Sequence, residues 1–434
     1  MRRLLSILLL LLPLFAGANP LSVPDSVGTD LLEAVYRKGV EAFKNNDLSV
    51  ASSLFLEAAK GGHAAAQYEY GLCCYNGEGV EADYEEAFAW FLKSAVQGNA
   101  DAQFSVGYCM ENGYGTDVSP VDAVDWYTKA ASQEHADAEC AVGVCYYSGL
   151  GVEQSYAVAV EWFKRAAEQG NAEAQSYLGS CYENGYAVAQ DDDEAFRWYS
   201  KAADKGNLEG IYNLASCYEW GIGVYPDGNV AMELYEKAAE RGLAIAQYAL
   251  ALCYLDINLG NDKEEAIEWL YEAAVNDYAD AQYMLGRMYS EGDVLPKDAE
   301  KGVMWLSQAA TQGHADAQCD LGFCYLTGSG TVCNPSTAVR WFMKSALQEN
   351  ARARHYMGVC CYEGLGVGQD YAKAVEWFTL AAEQDYPEAQ YYLGVCYYNG
   401  QGVAESHPKG VRLLRKARSG GSKEAKKALV YLSE

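Results

Sequence analysis

The chain has 434 residues, half of them hydrophobic, and a formal net charge of -28 from 60 acidic and 32 basic side chains. That excess of acid argues against nucleic acid as a partner, because phosphates demand Lys and Arg to displace counterions, and against an anionic membrane surface. The acid is uneven: residues 409–434 hold Lys409, Arg412, Arg415, Lys416, Arg418, Lys423, Lys426 and Lys427 against only Glu424 and Glu434.

Residues 1–18 read as a secretory signal peptide. Arg2 and Arg3 precede an apolar run from Leu4 to Leu14, and Ala16-Gly17-Ala18 offers small residues for cleavage after Ala18. The run falls short of the ~20 apolar residues a membrane helix needs. A secreted or periplasmic location is expected, or the endoplasmic reticulum lumen in a eukaryote. Residues 19–29 hold two prolines and no periodicity, and are expected to be a disordered tether. Residues 30–62 read as a tetratricopeptide-like helix pair turning at Asn45-Asn46-Asp47, with Asp30 and Glu33 as a capping box.

From residue 63 to 421 the chain repeats itself ten times. The anchors Gln67, Gln103, Glu139, Gln175, Ile211, Gln247, Gln282, Gln318, Arg354 and Gln390 are spaced by 36 residues, except for 35 between Gln247 and Gln282. Four residues before the anchor, Asn99, Asn171, Asn207 and Asn350 predict helix N-caps, and His63, His135 and His314 share that position. Four residues after it, Gly71, Gly107, Gly143 and five equivalents interrupt an otherwise helical pattern. Each costs ~1 kcal/mol relative to Ala, so close helix–helix approach is expected there. A G-x-G pair such as Gly77-Glu78-Gly79 ends the first helix. A second helix carries Trp90, Trp126, Trp162, Trp198, Trp269, Trp305, Trp341 and Trp377 as a core series. The copy at Gln247 has Ile257-Asn258-Leu259 in place of G-x-G, which predicts a local kink. Residues 422–434 read as a single polar capping helix. One helix pair cannot bury its own apolar stripe, whereas ten stacked pairs can.

The pattern A-x-A-Q-x-x-L-G-x-x-Y, G-x-G-V, A-x-x-W-x-x-K-A-A-x-x-G resembles the Sel-one-like repeat, a tetratricopeptide-like family. Residues 171–203 carry nearly all of it. The resemblance implies an all-α, right-handed α/α superhelical solenoid whose first helices line the concave face. It also implies an adaptor that assembles proteins, with no shared catalytic residues. A cysteine-rich branch of the family staples each repeat with a disulfide between cysteines seven or eight apart; this chain lacks that pair.

Nine of the fourteen cysteines fall six residues after the anchor, where the tenth copy has Met288. An apolar site that accepts Cys or Met suits buried thiols. Packed helices ~8–10 Å apart also exceed the ~7 Å Cα span of a disulfide. Cys140 and Cys319, one residue after the anchor, and Cys333, in a loop, are the candidate reactive thiols. The chain carries no G-x-S-x-G, H-E-x-x-H, P-loop or dinucleotide fingerprint, so no enzyme, cofactor or metal is expected.

What remains is surface. By analogy with tetratricopeptide solenoids, the concave positions hold Tyr68, Phe104, Tyr212, Tyr248, Tyr283 and Tyr391, then Tyr108 and Phe323, then Tyr75, Tyr147, Tyr362 and Tyr398, with Trp220. Asn76, Glu111, Glu183, Glu219 and Glu363 border them. Rigid aromatics of this kind grip partners at low entropic cost, and they also pack between adjacent helices. An aromatic trough with acidic edges suits a neutral or basic peptide or protein. A carbohydrate or cell-wall ligand is the alternative, and the basic residues 409–434 offer a second means of association.

Overall fold

The computed structural model describes residues 26–256 and 262–432. The signal-peptide reading of residues 1–18, most of the 19–29 tether and Ile257-Asn258-Leu259 lie outside them. Twenty-three helices and no strand occur among the described residues, paired as helix-turn-helix units. Two compact units divide at Trp198 and Tyr199.

The first helix of each repeat starts where the sequence places it. Asn99, Asn171, Asn207 and Asn350 each accept the amide of the residue three positions on, at 2.7–2.9 Å. Histidine does the same work: Nδ1 of His63, His135 and His314 accepts from Ala66, Ala138 and Ala317 at 3.1 Å. Because Nδ1 accepts in the neutral ring, the proton sits on Nε2. That nitrogen faces Glu33, Asp101 or Asp280 of the preceding unit.

The glycine four residues past the anchor is a joint. A Cβ on Gly71, Gly107, Gly143, Gly322 or Gly358 would lie 2.5–2.7 Å from the ring of Phe91, Tyr127, Phe163, Phe342 or Phe378. These rings are at most 2% exposed. Burying one fully contributes roughly 1.5–3 kcal/mol, which offsets the helix-propensity cost of its glycine. Each ring directly follows the tryptophan of its repeat, so the core series is one residue later than the Trp pattern predicts. The tryptophans flank the core, half-buried except Trp90 and Trp305. Lys93, Lys129, Arg165 and Lys344 cover Trp90, Trp126, Trp162 and Trp341 at 3.5–4.7 Å from the ring centroids.

The anchor glutamine is structural. Gln67 Nε2 donates to Ala59 O at 3.1 Å, and its Oε1 accepts from Gln97 Nε2 at 2.7 Å. Gln103 and Gln318 repeat this arrangement. Each gives a second donor to a carbonyl in the last turn of the preceding helix, one that already accepts the backbone amide three residues on. Glu139 stands in the same place at 1% exposure, accepting from Gln169. Burial pushes its carboxyl up, and Arg165 at 3.4 Å opposes that.

The helix Ser26–Lys44 begins four residues ahead of the expected start at Asp30, so Asp30 and Glu33 do not form a capping box. Glu33 instead accepts from Arg37 at 2.6 Å and lies 2.9 Å from His63 Nε2. This helix and Leu48–Lys60 use the joint of the repeats: a Cβ on Gly39 would lie 2.7 Å from Phe55. The helix Lys423–Tyr431 closes the described chain, capped by Ser422.

Besides the copy at Gln247, two copies lack the second turn glycine, carrying Ala187 and Val294 in its place, and of these only Ala187 keeps the positive φ. The second glycine of G-x-G has φ of 66–75°, as at Gly79, Gly115 and Gly366, and Ala187 has φ 57°. A left-handed alanine costs roughly 1 kcal/mol. Ala187→Gly is expected to raise stability by about that amount in urea unfolding; no gain would show that Ala187 is unstrained.

Candidate interaction face

The expected aromatic positions fall into local groups. In the unit ending at Trp198, Tyr75 meets Tyr84 at 5.1 Å and Tyr114 at 5.8 Å, and Tyr108 meets Tyr114 at 5.9 Å. Tyr75, Phe104 and Tyr108 line a small apolar notch with Leu72 and Cys109. Tyr68 packs on Phe91, and Phe104 stacks on His135. Tyr147 lies among Tyr156, Tyr177 and Tyr186. Tyr84, Tyr114, Tyr156 and Tyr186 were not expected there. Their signal is positional: Tyr114 and Tyr186 sit between the turn glycines or their substitute, and Tyr84 and Tyr156 open second helices.

In the unit from Tyr199 onward, Tyr212 packs on Tyr235, and Tyr248 on Tyr278. Tyr283 stacks on His314 at 4.5 Å. Tyr362 donates to Gln401 at 2.8 Å, Tyr391 meets Tyr392, and Tyr398 stacks on His407. Tyr248 and Tyr283 share one open cavity of about 450 Å³. Most of these rings are half-buried. Trp220, Tyr108 and Phe323 stand out at 71%, 42% and 41% exposure.

Two bordering acids have structural partners. Glu111 accepts from Tyr127 and Glu219 from Tyr235, each at 2.6 Å. Further charges gather beside Tyr283. Arg352 lies 2.8 Å from Asp320 and 3.8 Å from Asp316, and burial pushes the Asp320 carboxyl up against the pull of Arg352. No sequence motif marked this group; its one signal is that Arg352 stands where several other copies carry an acid.

Cys140 and Cys319 are not on an open face. They are 2% and 0% exposed, and burial pushes the Cys319 thiol up to about 12 and that of Cys140 higher. A thiol held protonated is a poor nucleophile. Cys333 is exposed in its loop, its Sγ donating to Leu326 O. All fourteen cysteines are thiols, thirteen of them buried. Among the described residues no group of three or more His, Cys, Asp or Glu is placed to hold a metal.

The Sel1 repeat model matches ten consecutive segments, from residues 64–99 to 387–422, with the shortest at 244–276. A solved protective antigen of uropathogenic Escherichia coli displaying the SLR fold is 31% identical, with a TM-score of 0.60, over 94% of this chain and 89% of that one. A Sel1 repeat protein from Oxalobacter formigenes is 34% identical, with a TM-score of 0.51, over 55% of this chain and 96% of that one. No curated protein sequence matches. Ten matched segments, the repeated glycine joint and the capped helix pairs agree: the chain belongs to the Sel1 repeat family.

Proposed function

We propose that this protein is a secreted or periplasmic scaffold that binds a protein or peptide partner on the aromatic face of its first helices. Sel1 repeats are in general protein-interaction scaffolds, which supports the class. No described helix is long and apolar enough to cross a membrane. The observation that carries the reading is the exposure of Trp220, Tyr108 and Phe323 on first helices: Tyr108 and Phe323 share one repeat position and Trp220 lies one helical turn beyond it, where the other copies carry aliphatic, polar or charged residues. Large aromatics left in water at repeated positions are the residues that dominate binding energy at interfaces. The acidic charge favours a neutral or basic partner. The helices before residue 63 and after residue 421 serve as the ends of the array.

The test is affinity capture from the secretory or envelope fraction, followed by reconstitution with the purified candidate. Trp220→Ala combined with Tyr108→Ala and Phe323→Ala is expected to weaken binding at least ~10-fold with little change in melting temperature. Undiminished binding would remove these aromatics from the interface. Retention of glycan alone, insensitive to salt, would replace a protein partner with a carbohydrate one.

A further inference from the structure

The cavity shared by Tyr248 and Tyr283 has a composition of its own. The two tyrosines occupy the same position in successive repeats, so the cavity lies between adjacent first helices. Met284, Met288 and Val294 supply apolar wall. Met288 is the copy that breaks the cysteine series, and its longer, polarizable side chain lies where nine other repeats place a thiol.

Four carboxylates line the cavity, Asp280, Glu291, Asp293 and Asp316, against one guanidinium, Arg287. Arg287 is already paired with Glu291. His314 does not neutralise Asp280: its Nδ1 accepts from Ala317, so its Nε2 approaches Asp280 at 3.1 Å as the N–H of a neutral ring. Asp316 accepts from Asn350 at 2.8 Å and shares Arg352 with the nearer Asp320. The cavity is therefore left with uncompensated negative charge between two aromatic faces.

We propose that this cavity receives an arginine side chain from the bound partner. The inference rests on the scaffold reading and names where, and with what, the partner is held. A guanidinium is planar, weakly hydrated and always charged, so it stacks on tyrosine while its N–H fork reaches a carboxylate. Its methylene stem lies along the methionines. An acidic side chain meets repulsion here, and an apolar one leaves the carboxylates without a counter-charge.

The methionines are also the reporters. The chain has eight, so methyl-¹³C-methionine labelling gives a spectrum in which Met284 and Met288 are assigned by substitution to Leu. The probe is acetyl-Gly-Arg-Gly-amide, with the citrulline peptide as its neutral isostere. The Met284 and Met288 signals are expected to shift saturably with the arginine peptide and not with the citrulline peptide. Asp280→Asn with Asp293→Asn, which keeps an acceptor for His314, is expected to weaken the shift at least tenfold, with the other methyl signals confirming the fold. Equal shifts with citrulline, an unaffected double variant, or movement only of other methionines would each overturn the proposal. Because none of these residues enters the Trp220, Tyr108 and Phe323 test, partner capture can survive the loss of this site, and the two failures are distinguishable.

Discussion

Gly115→Ala is expected to destabilise the protein by about 3 kcal/mol or more, whereas Gly98→Ala should cost only about 1 kcal/mol. Both glycines have positive φ, 70° and 93°. Both substitutions therefore incur the left-handed penalty of an L-residue. The difference is what the new methyl meets. At Gly98 nothing lies within 4 Å; at Gly115 a Cβ would fall 1.9 Å from the Tyr84 carbonyl oxygen and 2.4 Å from its carbon. Those are backbone atoms at the start of the preceding repeat's second helix, so no side-chain rotation relieves the overlap and the two repeats must separate. Gly79 and Gly402 make the same contact with Leu48 and Tyr371. In a repeat array, stability is carried by such nearest-neighbour interfaces. Urea unfolding of the two variants, with amide exchange to localise the loss, checks this. Equal losses would mean that the second turn glycine serves the turn alone and not the repeat interface.

The repeat architecture was legible because period, caps and glycines are each set by local backbone demands. Orientation around the helix was not legible to the same depth. Adjacent residues on a helix are separated by about 100°, so both Trp90 and Phe91 border the apolar stripe. Which of them is the core depends on the glycine opposite, and that contact exists only once the helices pack. The position after the anchor shows a second limit. Tyr68, Tyr248 and Tyr283 there are long enough to emerge between neighbouring first helices, and remain half-buried. Cys140 and Cys319 share the position but end short of the surface, so the neighbouring repeats cover them. Sequence analogy assigned one exposure to the position, whereas side-chain length decides it. The cavity at Tyr283 was hidden for a related reason. Asp280, Arg287 and Glu291 share one helix, but Tyr248 and Asp316 come from the repeats on either side, and only stacking brings them to one place.

His355 occupies that same position and is expected to make the protein acid-labile. It is 6% exposed, and its Nδ1 has no hydrogen-bond partner. The rings of Tyr356, Phe378, Tyr386 and Tyr392 lie 5.3–6.0 Å away. The titratable groups facing it are phenols, pushed up by burial and hence neutral in acid, Tyr386 to about 12. With no carboxylate to stabilise an imidazolium, burial lowers the His355 pKa from 6.5 to about 4. The sign follows from proton uptake. Between those values the unfolded chain binds a proton that the folded chain refuses, so stability is full above pH 6.5 and falls as pH drops toward 4. At 1.36 kcal/mol per unit, the loss approaches about 3 kcal/mol. His355→Phe, the residue type that Phe104 supplies in the second repeat, removes the titration and keeps the aromatic packing. The buried carboxyls of Glu139 and Asp320 titrate in both proteins, so the wild-type minus variant difference in unfolding free energy isolates the histidine. That difference should shift in favour of the variant by about 3 kcal/mol between pH 7 and pH 4. Parallel profiles would mean that His355 finds water or a partner in solution, and that the aromatic shell around it opens.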